Sequence, residues 1–202
     1  MAVRDPIAAP TIARKAVTTV GRAAAMGLLP DDDVIETLDL PTLRAVAGHI
    51  GQAGVASAAL AELAAWKRGT PERLEALLDE VGAALAASPV PQREWRELLR
   101  TLSEPLLAAL VGVSRSSLRR YATHERETPD RVAARLHHVA LTVGNLAGSY
   151  NDYGIRRWFE RKRARLNNRT PRDVLRGNWS PDAPGPREVL ALSESLLGSP
   201  AT

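Results

Sequence analysis

Arg115, Ser116, Arg119 and Arg120 fall within six residues, spaced so that a helix would carry them along one side. Their chemistry is hydrogen-bond donation. Arginine offers a planar fork that matches guanine edges and phosphates, and serine adapts to either base. Ser114 stands just before them, where a short hydroxyl caps a helix. These five residues are the candidate nucleic-acid contacts.

Other chemistry is thinly represented. The chain has no cysteine, so it offers no disulfide and no thiolate ligand or nucleophile. His137 and His138 are adjacent and project about 100° apart on a helix, so they cannot share a metal. Asp31 to Asp33 form an acidic turn with no matching ligand set, and are expected to cap a following short helix. Gly144 and Gly148 fall within a helical pattern, not a phosphate-binding loop, and no nucleophile-elbow motif is present. We therefore expect a binding protein rather than an enzyme, with no catalytic residue, metal or cofactor.

The elements that would position the basic residues can be read from Leu102 to Tyr121. Ser103 is expected to cap a short helix, with Pro105 tolerated in its first turn. Leu106, Leu107 and Leu110 supply its buried face, and Gly112 suits a turn needing positive φ. Val113 fills the gap, Ser114 caps the second helix, and Leu118 points back to the core. This is the logic of a helix-turn-helix whose second helix enters the major groove. An ordinary helical hairpin with a basic solvated face fits the spacing too. Ala108 to Ser114, Ala-x-Leu-x-Gly-Val-Ser, resembles the core of phage-repressor-like (Xre) helix-turn-helix domains. Pro105 and Leu106 stand where those domains usually place a polar residue, often glutamine, that touches the DNA backbone.

Downstream, Asp130 to Gly148 carries Val132, Leu136, Val139, Val143 and Leu146 in a 4-3-4-3 seam. A helix expected from Asp152 to Leu166 includes Gly154-Ile-Arg-Arg-Trp-Phe159, whose Ile155, Trp158 and Phe159 cluster at helical spacing, with Leu166 extending the stripe. Thr170 and Asp173 make a capping-box-like start for a short helix with Pro171 at its first position, and Gly177 closes it. The order of these pieces resembles the C-terminal toxin-binding domain of the Xre/MbcA/ParS antitoxins, and the likeness covers about residues 92–177.

That resemblance implies a type II antitoxin. Its partner would be a RES-domain toxin that degrades NAD⁺, blocked at its active site, and its helix-turn-helix would repress its own operon as a dimer. Gly154, Arg156, Arg157, Trp158, Asn167, Thr170 and Pro171 carry the match and would be the toxin-binding residues. Read from the residues alone, Trp158 and Phe159 suit a core, Thr170 and Pro171 a cap, and Arg156, Arg157 and the Arg161–Arg165 run a solvated face. The compact members of that family lack an equivalent of residues 1–90.

The remaining pattern is helical throughout, so the expected class is all-α: a helical bundle with a helix-turn-helix and a C-terminal helical toxin-binding domain. Helices are expected from Pro10 to Leu28, Leu40 to Gly51, Ala56 to Trp66, after Thr70-Pro71, and from Pro186 to Leu197. The two prolines of Ser88-Pro89-Val90-Pro91 mark the best boundary. The expected units are a 1–90 helical extension, a 91–129 helix-turn-helix, a 130–177 toxin-binding domain, and a 178–202 linker and last helix. Asn178 to Gly185 is expected to be a flexible link, and the last helix a candidate plug for the toxin.

Charge changes sign near that boundary. Residues 1–92 hold 8 Lys/Arg against 11 Asp/Glu, and residues 93–202 hold 19 against 12. No apolar run is long enough to span a membrane, and no secretory-signal pattern opens the chain. A cytoplasmic protein is expected, with operator DNA and a RES-domain toxin as partners and a homodimer or higher homo-oligomer as its assembly. Two other readings remain: a stand-alone transcriptional or nucleoid-associated regulator, and an interaction adaptor that binds no DNA.

Overall fold

The computed structural model describes residues 6–30, 35, 37–55 and 57–196. Over these residues the chain is an all-α bundle with no β-strand, only an isolated bridge between Arg163 and Arg169. The helices are α1 (Pro10–Ala25), α2 (Leu40–Gln52), α3 (Ala58–Ala64), α4 (Pro71–Ala86), α5 (Pro91–Thr101), α6 (Glu104–Val111), α7 (Arg115–Ala122), α8 (Asp130–Ala147), α9 (Asp152–Glu160), α10 (Pro171–Val174) and α11 (Pro184–Ser195). No described helix is long and apolar enough to cross a membrane. The expected cap at Asp31–Asp33, with Ala56 and Leu197 at predicted helix ends, lies outside the described residues.

Local sequence sets most helix starts. The Thr70 hydroxyl accepts from the Arg73 N–H and Pro71 opens α4, whose Leu74, Leu77, Leu78, Val81 and Leu85 are buried. The same device opens α2, where the Asp39 carboxylate accepts from the Thr42 N–H at 2.9 Å ahead of Pro41.

α8 is the central helix. Every residue from Arg135 to Leu146 is buried, so the expected seam is one side of a helix that is covered nearly all round. Its principal neighbour is α1, from the far end of the chain. The two cross where Gly21 meets Gly144. A Cβ on Gly144 would stand 2.5 Å from the Arg22 Cα, and one on Gly21 would overlap the Gly144 carbonyl oxygen. Only hydrogen at both positions lets the backbones come this close. The hydrophobic core therefore runs from α1 through α4, α5 and α8 to Val189 of α11, and crosses the turn at Ser88–Pro91 without a break.

A polar network closes the same junction. The Arg22 Nε–H donates to Asn145 Oδ1 at 2.9 Å, and its Nη2 pairs with Glu194 at 2.7 Å. The Asn145 amide donates to Ser193 Oγ at 2.9 Å. These bonds join α1, α8 and α11, so the last described helix is docked on the bundle.

Two expectations about the C-terminal half are corrected. The helix predicted to continue from Asp152 to Leu166 stops at Glu160. Arg161 turns extended, the Arg163 N–H bonds the Arg169 carbonyl at 3.0 Å, and Asn167 and Asn168 adopt positive φ. Asparagine tolerates that conformation, and the tight loop still delivers Leu166 to the core. The stretch from Asn178 to Gly185 is fastened, not loose. Trp179 donates its indole N–H to the Leu110 carbonyl at 2.9 Å and lies under the Arg135 guanidinium.

Candidate nucleic-acid interface and partner face

α6 and α7 form two short helices joined by a tight turn. Ser103 precedes α6 in extended conformation but makes no capping bond, contrary to its expected role. Leu106, Leu107, Ala108, Leu110 and Val111 are buried. Gly112 has φ +74°, and its N–H and that of Val113 both bond the Ala108 carbonyl at 3.0 Å, satisfying the end of α6. A second constraint acts there, since a Cβ on Gly112 would overlap the Gly177 carbonyl oxygen. The turn thus rests directly on the backbone just beyond α10, which ends at Val174 with Leu175 as its cap and not at Gly177 as expected.

Arg135 of α8 fixes this contact. Its buried guanidinium donates to the carbonyls of Val111 (3.3 Å), Gly177 (3.4 Å) and Trp179 (2.7 Å), and also bonds the Asn178 side chain. Burial, and then the nearby Arg131 charge, push its pKa down from the ordinary arginine value.

Ser114 caps α7, its hydroxyl accepting from the Ser117 N–H at 3.1 Å. Leu118 and Tyr121 are buried, and Tyr121 stacks on Trp95 of α5 with ring centroids 6.0 Å apart. Burial of that side leaves Ser114, Arg115, Ser116, Arg119 and Arg120 exposed together. The Arg115 and Arg119 side chains do not extend freely. Arg115 Nε donates to one oxygen of Glu104 at 2.6 Å, and Arg119 Nε donates to the other at 3.1 Å. These two bonds hold the Glu104 carboxyl below the usual carboxylate range.

The seven residues expected to meet a toxin have mixed fates. Trp158 is 1 % exposed, packed edge-on against Phe159 and covered by the Arg163 guanidinium 5.3 Å above its ring. Pro171 is buried too. The resemblance makes both toxin contacts, yet neither is exposed: Trp158 lies in the local core and Pro171 in the buried first turn of α10. The Thr170 hydroxyl accepts from the Asp173 N–H, and the Asp173 carboxylate accepts in return from the Thr170 N–H, completing a capping box. The Gly154 N–H donates to Asn151 Oδ1 at 2.9 Å, which places it inside the α9 cap. Arg156, half-buried, donates to the Thr101 carbonyl at the end of α5 at 2.7 Å. Arg157 and Asn167 are exposed and face outward.

A cleft of about 690 Å³ separates α6 from α10, lined by Ala108, Ala109, Gly112, Thr170, Arg172 and Arg176 among others. The two adjacent histidines are both buried and separate in role. His137 Nδ1 lies 2.6 Å from a Glu94 carboxylate oxygen, tying α8 to α5. His138 packs edge-on against Trp179, and burial pushes its pKa down to about 4. Among the described residues no three His, Asp or Glu side chains gather as a metal site.

Sequence reasoning missed Glu104, Arg135 and Trp179. Glu104 had only its first-turn position as a signal. The other two make contacts across 24 to 69 residues, which no local pattern encodes.

No protein-family model, no curated protein and no solved structure matches the chain.

Proposed function

We propose that this chain is a DNA-binding antitoxin. In this reading α7 enters the major groove of operator DNA, and the α9–α10 region meets a RES-domain, NAD⁺-degrading toxin. It acts in the cytoplasm as a homodimer or higher homo-oligomer. The observation that carries the nucleic-acid half is the α6–α7 unit itself. A positive-φ glycine turn, a serine cap and two buried anchors leave five donor residues on one exposed face. Such a face suits base edges through arginine forks and phosphates through charge. The toxin half rests on the sequence resemblance, with Arg157 and Asn167 as its exposed members.

The test is binding of the full chain to its own upstream DNA across a salt series. Arg115→Ala with Arg119→Ala removes sequence-specific binding while the melting temperature stays within a few degrees of wild type. Unchanged specific binding rejects α7 as the reading helix. For the toxin half, co-expression with a RES-domain protein encoded beside it should restore growth and co-purify the pair. Growth arrest despite soluble expression of both chains rejects it.

A second reading, an interaction adaptor that binds no DNA, is favoured by one specific observation: Glu104 already occupies the Nε donors of Arg115 and Arg119. Absence of any salt-dependent DNA binding by the wild-type chain would select it.

A further inference from the structure

We propose that Glu104 is a specificity-determining, positioning residue for the α7 surface. It aims Arg115 and Arg119 as a unit and suppresses their attraction to DNA of any sequence. This rests on the DNA-binding reading above.

The geometry is that of a bridge between two helices. Glu104 opens α6, while Arg115 and Arg119 lie one turn apart on α7. One carboxylate oxygen goes to each arginine, at 2.6 and 3.1 Å. Two arginines at this spacing repel each other on an isolated helix, and a single carboxylate between them removes that repulsion. Its place in the first turn of α6 also favours the negative charge, and the Glu104 side chain is only 24 % exposed against 59 % and 64 % for the arginines.

The donor used in each arginine decides what the bridge does. Both bonds are made through Nε. A guanidinium has five N–H donors, so the Nη donors of each remain outside the bond. Those are the atoms that can meet the two acceptors of a guanine edge. Glu104 therefore holds the inner edge of each fork and restricts its rotation. It leaves the outer edge available for recognition.

The same carboxylate lowers the net positive charge that α7 offers to phosphates. Non-specific DNA binding is driven by the number of phosphates neutralised, and its salt dependence reports that number. A base edge offers directed acceptors to the aimed forks. A phosphate reached at random does not, and it must compete with Glu104 for the arginines. The bridge thus penalises non-specific binding more than specific binding.

The experiment compares the full-length wild type with Glu104→Gln and Glu104→Asp. The probes are the tightest duplex selected by the wild-type chain from a random-sequence pool, and a scrambled duplex. Fluorescence anisotropy across a salt series gives both affinities and slopes, and thermal melting checks that each variant folds. Glu104→Gln should bind scrambled DNA about tenfold more tightly, with a log–log salt slope steeper by about one. Its ratio of selected to scrambled affinity should fall about tenfold, as expected for loss of aim in bidentate contacts. Glu104→Asp keeps the charge but is one methylene too short to span both arginines. It should restore the salt slope and leave the ratio low.

A wild-type chain that discriminates between the probes, with a Glu104→Gln variant that discriminates equally, overturns the role of Glu104 alone. Restoration of the full ratio by Glu104→Asp overturns the positioning role. If neither wild type nor variants bind duplex DNA, the DNA-binding reading falls and this role with it.

Discussion

Gly144→Ala places a methyl group at the point where α8 crosses α1. The new Cβ would stand 2.5 Å from the Arg22 Cα, 2.7 Å from the Arg22 nitrogen and 2.9 Å from the Gly21 carbonyl carbon. Ordinary carbon contacts lie at about 3.5–4.0 Å, so the helices must part by about 1 Å. All three atoms are backbone, so no side chain can rotate away. Overpacking of this kind costs about 1–3 kcal/mol, and a clash with fixed backbone belongs at the upper end. Alanine returns about 1 kcal/mol through helix propensity. The balance is a loss of about 2 kcal/mol, or a melting temperature lower by about 4–8 °C for a chain of this size.

The control is the same substitution elsewhere. Gly82 lies inside α4, and an alanine methyl there would meet nothing within 4 Å. Gly82→Ala should gain about 1 kcal/mol and raise the melting temperature by about 2–4 °C. Scanning calorimetry of the two variants beside wild type reads both signs. A Gly144→Ala protein that melts at or above wild type would refute the close α1–α8 crossing. The propensity argument fails if Gly82→Ala melts lower.

Acid should weaken the fold through His138. Its folded pKa of about 4 lies below its ordinary 6.5, so the unfolded chain binds the extra proton between these values. Stability is therefore full above pH 6.5 and is lost as pH falls to 4, by about 3 kcal/mol. Urea titrations from pH 7 to 4 should show this loss in wild type and a shallower one in His138→Gln; parallel curves would reject it. Trp179→Phe leaves the Leu110 carbonyl without its donor and should cost about 1–3 kcal/mol, read by urea denaturation. An unchanged midpoint would show that the 178–185 segment is not anchored there. Thr170→Ala removes one half of the capping box and should cost about 1 kcal/mol, with amide exchange accelerated at Asp173; protection equal to wild type counts against the cap.

Much of the helical layout was legible because its signals are local. The Thr70-Pro71 start, the Gly112 turn and the Ser114 cap each depend on residues within one turn of the chain. The exposed basic face of α7 was legible for the same reason, since the burial of Leu118 fixes which side faces out. The end of α9 was not. The helical stripe from Phe159 to Leu166 continues in sequence, but the Arg163–Arg169 pairing and two positive-φ asparagines outweigh it.

The sequence by itself therefore determined the all-α class, most helix starts and the five donor residues of α7, because caps, prolines and apolar periods act over a few residues. Tertiary structure decided the rest. It set α1 against α8 through two glycines 123 residues apart, and it seated Trp179 on the Leu110 carbonyl. It also gave Arg115 and Arg119 a shared carboxylate. Each of these depends on the distance between backbones that are remote or separately folded, and that distance is set only when the helices pack.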